Sequence, residues 1–138
     1  MKTLYQTTVK STGGRNGSIE SEDGVLSLEV RIPAEMGGKP GYTNPEQLFA
    51  GGYAACFDSA LGIVLYQAGI KPEAPTTVSA TVALQTEDHK GYNLKVKLSV
   101  HIPGLDKAQA MSLIEKAHQV CPYSNATRGN VVVELEAV

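Results

Sequence analysis

Asn44-Pro45-Glu46-Gln47-Leu48-Phe49-Ala50-Gly51-Gly52-Tyr53-Ala54-Ala55-Cys56-Phe57 opens the longest apolar stretch of the chain, which runs from Leu48 to Ala68. Its start carries the marks of a helix N-terminus. Asn44 can accept from an orphan backbone N–H, Pro45 suits the first helical position, and Gln47 completes a box-like cap. The helix is expected to end near Gly69. It is apolar nearly all round, whereas a surface helix shows one apolar stripe. Asp58, Ser59, Gln67 and the glycines Gly51, Gly52 and Gly62 make it a buried helix rather than a membrane span. Such a helix needs cover on several sides. The chain's own strands could supply one side and a second copy of the chain another. The expectation is therefore a homodimer with paired central helices; the alternative is a monomer whose sheet curls around the helix.

Alternating patterns on either side mark strands. Leu4 to Lys10, Asn16 to Glu22 and Val25 to Arg31 read as a meander. Gly13, Gly14 and Gly17 supply its first turn, and Asp23-Gly24 is a two-residue hairpin signal. A second hairpin is expected from Thr77 to Glu87 and Tyr92 to Ile102, each strand with one wet face. A second helix starts at Asp106, with Gln109 three residues on, and stops near Val120 because Pro122 forbids continuation. A last strand follows from Asn130 to Ala137. The predicted order is β-β-β-α-β-β-α-β, an α+β fold with antiparallel sheets, in one domain over residues 1–138.

The totals restrict the function. The 138 residues include 42% hydrophobic residues and carry a net charge of −2, with no basic run. A nucleic-acid partner bound through a basic face is not expected, nor is a membrane partner. Met1 to Lys10 has no apolar core of the signal-peptide kind, so the expected location is the cytoplasm. There are two cysteines, Cys56 and Cys121. A lasting structural disulfide is uncommon in a reducing compartment, so these thiols are inert packing residues or a redox pair.

As a nucleophile Cys56 must ionise, and a free thiol near pKa 8.5 is only slightly ionised at neutral pH. Two sources of help are open. A helix break at Gly51-Gly52 would put Cys56 in a first turn, where unpaired N–H groups favour negative charge. A cation is the other, and Arg15 sits in the glycine-rich turn Gly13-Gly14-Arg15-Asn16-Gly17, free either to reach a pocket or to point into water. Glu46 is explained by the helix dipole alone, but it could also hold the Arg15 guanidinium by two parallel hydrogen bonds. On one straight helix Glu46 and Cys56 are separated by about 15 Å of rise. Cys121 falls on the stripe of Ile114 and Ala117, which predicts burial.

Two segments resemble the organic hydroperoxide resistance branch of the OsmC/Ohr superfamily: Asn44 to Phe57, quoted above, and Cys121-Pro122-Tyr123-Ser124-Asn125-Ala126-Thr127-Arg128-Gly129-Asn130-Val131. The Gly14-Arg15-Asn16-Gly17 turn fits as a third. The resemblance in length and element order spans the chain. It implies a thiol peroxidase with Cys56 as peroxidatic thiol, Cys121 as resolving thiol, and Arg15 with its carboxylate partner Glu46 in the site. It implies intertwined dimers with sites at the subunit interface. Organic and fatty-acid hydroperoxides are the implied substrates. A dihydrolipoyl dithiol, free or on a lipoylated protein, is the implied reductant, with no bound cofactor or metal. Met36, Phe49 and Tyr123 are candidates for an apolar substrate pocket.

Other classes compete with this one. His118, three residues before Cys121, could pair with it in a cysteine hydrolase, although no third orienting group is evident. A metal site from Cys56, Cys121 and His118 lacks closely spaced ligand pairs. A binding module with two inert buried thiols is the remaining alternative. His89 in the hairpin turn and His101 on a strand read as solvated or structural, and Arg128 as an anchor for a loop or for a dimer.

Overall fold

A computed structural model describes residues 1–138 as two compact units, Met1–Leu48 and Phe49–Val138. The first unit holds a three-stranded antiparallel sheet in the order β1 (Val9–Thr12), β2 (Asn16–Ser21), β3 (Ser27–Arg31), then a 3-10 turn at Ala34–Met36. The strand expected from Leu4 starts only at Val9. Its partner β2 ends at Ser21, opposite Val9, so Leu4 and Tyr5 have no ladder to join and lie exposed. Asp23-Gly24 does not form a two-residue hairpin. Asp23 instead accepts from the Ser21 hydroxyl (2.6 Å) and the Val25 amide (3.0 Å), within a wider loop of residues 22–26. Gly24 takes a left-handed φ of 73° within it. The β1–β2 turn needs its glycines: Gly13 and Gly14 have φ of 81° and 56°, and a Cβ on Gly17 would lie 1.8 Å from the Thr12 carbonyl oxygen.

Helix α1 (Pro45–Gln67) begins in the first unit and continues through the second. Asn44 Oδ1 accepts from the Gln47 amide at 2.9 Å, as expected of a cap. The reciprocal half of the box is absent, because the Gln47 side chain takes the Thr43 hydroxyl instead, at 2.9 Å. Gly51-Gly52 does not break the helix. The ladder runs through it, so Cys56 stands in the helix interior and gains nothing from an α1 terminus.

The second unit pairs β4 (Thr77–Gln85) with β5 (Asn93–His101) antiparallel and β5 with β6 (Val132–Ala137) parallel. The sheet is therefore mixed rather than antiparallel. The chain leaves β5, returns through α2 (Lys107–Val120) and α3 (Pro122–Thr127), and re-enters beside β5 in the same direction, as a helical crossover requires. Asp106 and Gln109 form the capping box of α2. Short helix α3 replaces the plain turn expected after Cys121. Pro122 keeps Cys121 extended (φ −60°, ψ 123°) and then serves as the first residue of a new helix. Tyr53, Phe57 and Leu61 of α1, Val96, Leu98 and Val100 of β5, Ile114 and Ala117 of α2, and Cys121 belong to one buried cluster. Full burial of one such aliphatic or aromatic side chain contributes about 1.5–3 kcal/mol.

Gly17→Ala is expected to destabilise the chain by about 1–3 kcal/mol, the range for forcing atoms into occupied space. Urea unfolding of both proteins measures it, and an unchanged midpoint would contradict the turn geometry.

Candidate active site

The core of the second unit brings the two cysteines together. Cys56 Sγ and Cys121 Sγ are 3.8 Å apart with no bond between them. Cys121 is fully buried and Cys56 partly exposed, so Cys56 is the thiol that solvent and small molecules can reach. Burial pushes the Cys56 thiol above the ordinary cysteine range, and the adjacent Cys121 adds to that, while the Tyr123 backbone N–H opposes both by donating to the sulfur. The backbone amide at Cys56 is thus one of α3, not one freed by a break in α1 as expected.

Within the first unit Arg15 and Glu46 form the expected fork. Arg15 Nη1 donates to Glu46 Oε2 at 2.8 Å and Nη2 to Oε1 at 2.5 Å. The glycine turn aims the arginine, and the first turn of α1 presents the carboxylate. The Arg15 bonds hold Glu46 below the usual carboxylate range against the opposing effect of partial burial, and Glu46 in turn raises Arg15. The guanidinium is therefore fixed in both charge and orientation.

Two of the three pocket candidates lie in the second unit. Phe49 and Tyr123 join Tyr53 in an aromatic cluster with centroid distances of 5.7–6.3 Å. Tyr123 also lies across Gly52, where a Cβ would meet its hydroxyl at 2.9 Å. Met36 stands in the 3-10 turn of the first unit with its side chain exposed. His118 Nδ1 is bound to Ser124 Oγ at 2.7 Å, and the Cys121 thiol is directed to Cys56 Sγ rather than to His118. No three His, Cys, Asp or Glu side chains converge as a metal set. Arg128 anchors locally, donating to Asn125 Oδ1 (2.7 Å) and to the His118 carbonyl (2.5 Å). Tyr53, Ser124 and Thr127, all buried and hydrogen-bonded together beside the thiols, were not anticipated. Tyr53 precedes Cys56 by three residues and Ser124 follows Cys121 by three, a helical spacing that could have drawn notice.

Residues 37–136 match the family model described as OsmC-like protein. The organic hydroperoxide resistance protein OhrA of Bacillus subtilis is 46% identical over 135 residues, covering 96% of this chain and 95% of that protein. The chain belongs to the organic hydroperoxide resistance branch of the OsmC/Ohr family. Solved structures agree with that placement. An organic hydroperoxide resistance protein of Legionella pneumophila superposes with a TM-score of 0.92 at 50% identity, over 99% of this chain and 98% of that one. One from Elizabethkingia anophelis gives the same TM-score at 54% identity and the same coverage. The α+β fold with two three-stranded sheets and central helices is thus the OsmC-like fold.

The Arg15–Glu46 fork has a pH signature. Glu46 titrates lower folded than unfolded, so the pair adds stability above the ordinary glutamate value of about 4.3. That stability is lost as pH falls through the lowered native value. With Arg15 partly in solvent, the contribution is at most about 1 kcal/mol. Urea unfolding should find the wild type more stable than Glu46→Gln near neutral pH, with the gap closing as pH falls below the ordinary glutamate value. A gap independent of pH would contradict the pairing.

Proposed function

We propose that the chain is a thiol peroxidase that reduces organic hydroperoxides to alcohols, using Cys56 and Cys121. The observation that carries the reading is the 3.8 Å separation of one accessible and one buried thiol. Ionised Cys56 attacks the distal peroxide oxygen. The O–O bond breaks, the alkoxide takes a proton and leaves as alcohol, and Cys56 becomes a sulfenic acid. Cys121 then attacks the oxidised sulfur. An S–S bond forms, the S–O bond breaks and water leaves, which protects Cys56 from irreversible oxidation. A dithiol of the dihydrolipoyl kind reopens the bridge by two exchange steps, becoming a cyclic disulfide itself. Dihydrolipoamide or a lipoylated protein in the cytoplasm is the proposed donor.

Partial burial raises the Cys56 thiol, so this chemistry needs a cation. Arg15, already oriented by Glu46, is the proposed one; it would also meet charge developing on the leaving oxygen. Phe49 and Tyr123 are proposed to receive the alkyl part of the substrate, with Met36 a further apolar candidate. Each buried methylene would favour alkyl peroxide over hydrogen peroxide by about 0.8 kcal/mol. The reading also includes a homodimer. Its support is α1, which leaves Ile63 and Tyr66 exposed beside a cleft of about 710 Å³ lined by Leu65, Ile70 and Pro75.

The test is peroxide consumption with dihydrolipoamide and with thioredoxin, run on tert-butyl hydroperoxide and on hydrogen peroxide. Turnover should be fastest with dihydrolipoamide and the alkyl peroxide and vanish in Cys56→Ser. Cys121→Ser should undergo the first oxidation and then accumulate oxygen on Cys56, seen by mass spectrometry. Full activity in Cys56→Ser would reject the reading. Arg15→Ala should shift the rise of the oxidation rate to higher pH and slow it about tenfold or more at neutral pH, since one pKa unit is about 1.4 kcal/mol. An unchanged pH–rate profile would remove Arg15 from the mechanism.

A further inference from the structure

Beside the thiols runs a hydrogen-bonded chain that the reaction as proposed does not use. Tyr53 Oη lies 2.8 Å from Ser124 Oγ, and Ser124 Oγ lies 2.7 Å from His118 Nδ1. Tyr53 and Ser124 are fully buried and His118 partly so. Burial and the nearby Arg128 both hold His118 below the usual histidine range, so it is neutral at neutral pH. A neutral imidazole can accept at Nδ1. The two short contacts then order the protons: Tyr53 donates to Ser124, and Ser124 donates to His118. The longer 3.4 Å contact from Tyr53 to Thr127 is left as the weaker option, and the Thr127 hydroxyl donates to the Tyr123 carbonyl at 2.9 Å.

The placement of these bonds gives them a role. Cys121 stands at the corner between α2 and α3, where Pro122 removes one backbone donor. His118 lies before that corner and Ser124 after it, so their bond closes the corner across Cys121. Arg128, from beyond α3, donates to the His118 carbonyl at 2.5 Å and adds a second strap. Tyr53 then ties the closed corner to α1, one helical turn before Cys56. Each sulfur is thus flanked by a member of one chain. The sulfurs must approach from 3.8 Å to a bond of about 2.05 Å, which tolerates little drift of either backbone.

We propose that Tyr53, Ser124 and His118 are positioning residues that hold Cys121 within bonding reach of Cys56 during disulfide closure. The proposal rests on the peroxidase reading for its biological use, but the geometric claim concerns only how readily the two sulfurs join. None of the three residues touches the peroxide in this role, so the first oxidation does not depend on them.

Two measurements on the full chain test this. The first equilibrates wild type, His118→Ala, His118→Asn and Tyr53→Phe with reduced and oxidised glutathione and reads the effective concentration of one thiol at the other. His118→Ala and Tyr53→Phe are expected to lower it about three- to tenfold, the scale of one lost buried hydrogen bond. His118→Asn, whose side-chain oxygen can occupy the place of Nδ1, is expected to restore it. The second adds one equivalent of tert-butyl hydroperoxide and traps the sulfenic acid with dimedone. The rate of first oxidation should stay within about twofold of wild type, while trapped and over-oxidised Cys56 rise in the same two variants and fall again in His118→Asn. Unchanged glutathione equilibria in His118→Ala and Tyr53→Phe would overturn the proposal, as would failure of folded His118→Asn to recover. A wild type that takes no oxygen from the peroxide sinks the peroxidase reading instead, and the glutathione equilibria still judge the positioning role.

Discussion

The approach of two sulfurs to 3.8 Å in the core of the second unit is the constraint around which its architecture makes sense. Cys56 lies inside a long helix, and Cys121 lies where two other helices meet. Their separation is fixed by packing rather than by local sequence. Phe57, Leu61, Ile114 and Ala117 are fully buried in the cluster to which α1 and α2 both contribute, which brings the two cysteine-bearing segments together, and the hydrogen bonds around Cys121 hold its corner in place within that cluster. The extended backbone at Cys121, imposed by Pro122, turns the chain at this point and lets α3 begin there. That turn brings the Tyr123 amide to the Cys56 sulfur.

Burial brings a cost that shapes the chemistry. Seclusion in the core suits a disulfide, but it also disfavours the thiolate from which the proposed reaction starts. The Tyr123 amide offsets part of this and Cys121 works against it. The proposed mechanism assigns the rest to a fixed positive charge. The Arg15–Glu46 fork is the proposed source: the arginine donates two hydrogen bonds to a carboxylate that they hold below the usual glutamate range. A lysine could not be held in that planar two-point geometry.

Much of this was legible in the sequence, for identifiable reasons. Asn44-Pro45, Asp106 with Gln109, and the alternation along Val78 to Leu84 and Leu94 to Ile102 are local signals, and the elements they mark lie where expected. The two cysteine motifs pointed to the family, and the Arg15–Glu46 fork could be anticipated because its chemistry is pairwise. What escaped depended on partners distant in sequence. Strand β1 is short because β2 stops at Ser21, the sheet is mixed because α2 and α3 return β6 parallel to β5, and helix α1 runs through Gly51-Gly52 because packing outweighs their low helix propensity. The Tyr53–Ser124–His118 chain was missed for the same reason: hydroxyls in an apolar context say nothing of their partner until α1 and α3 are brought together.

The most direct measurement is a thiol count during titration of the reduced protein with tert-butyl hydroperoxide, followed by peptide mapping without reductant. One equivalent should consume both thiols of each chain and yield a single cross-linked peptide pair joining Cys56 to Cys121. Retention of both thiols, or their loss with oxygen added and no cross-link, would contradict the account.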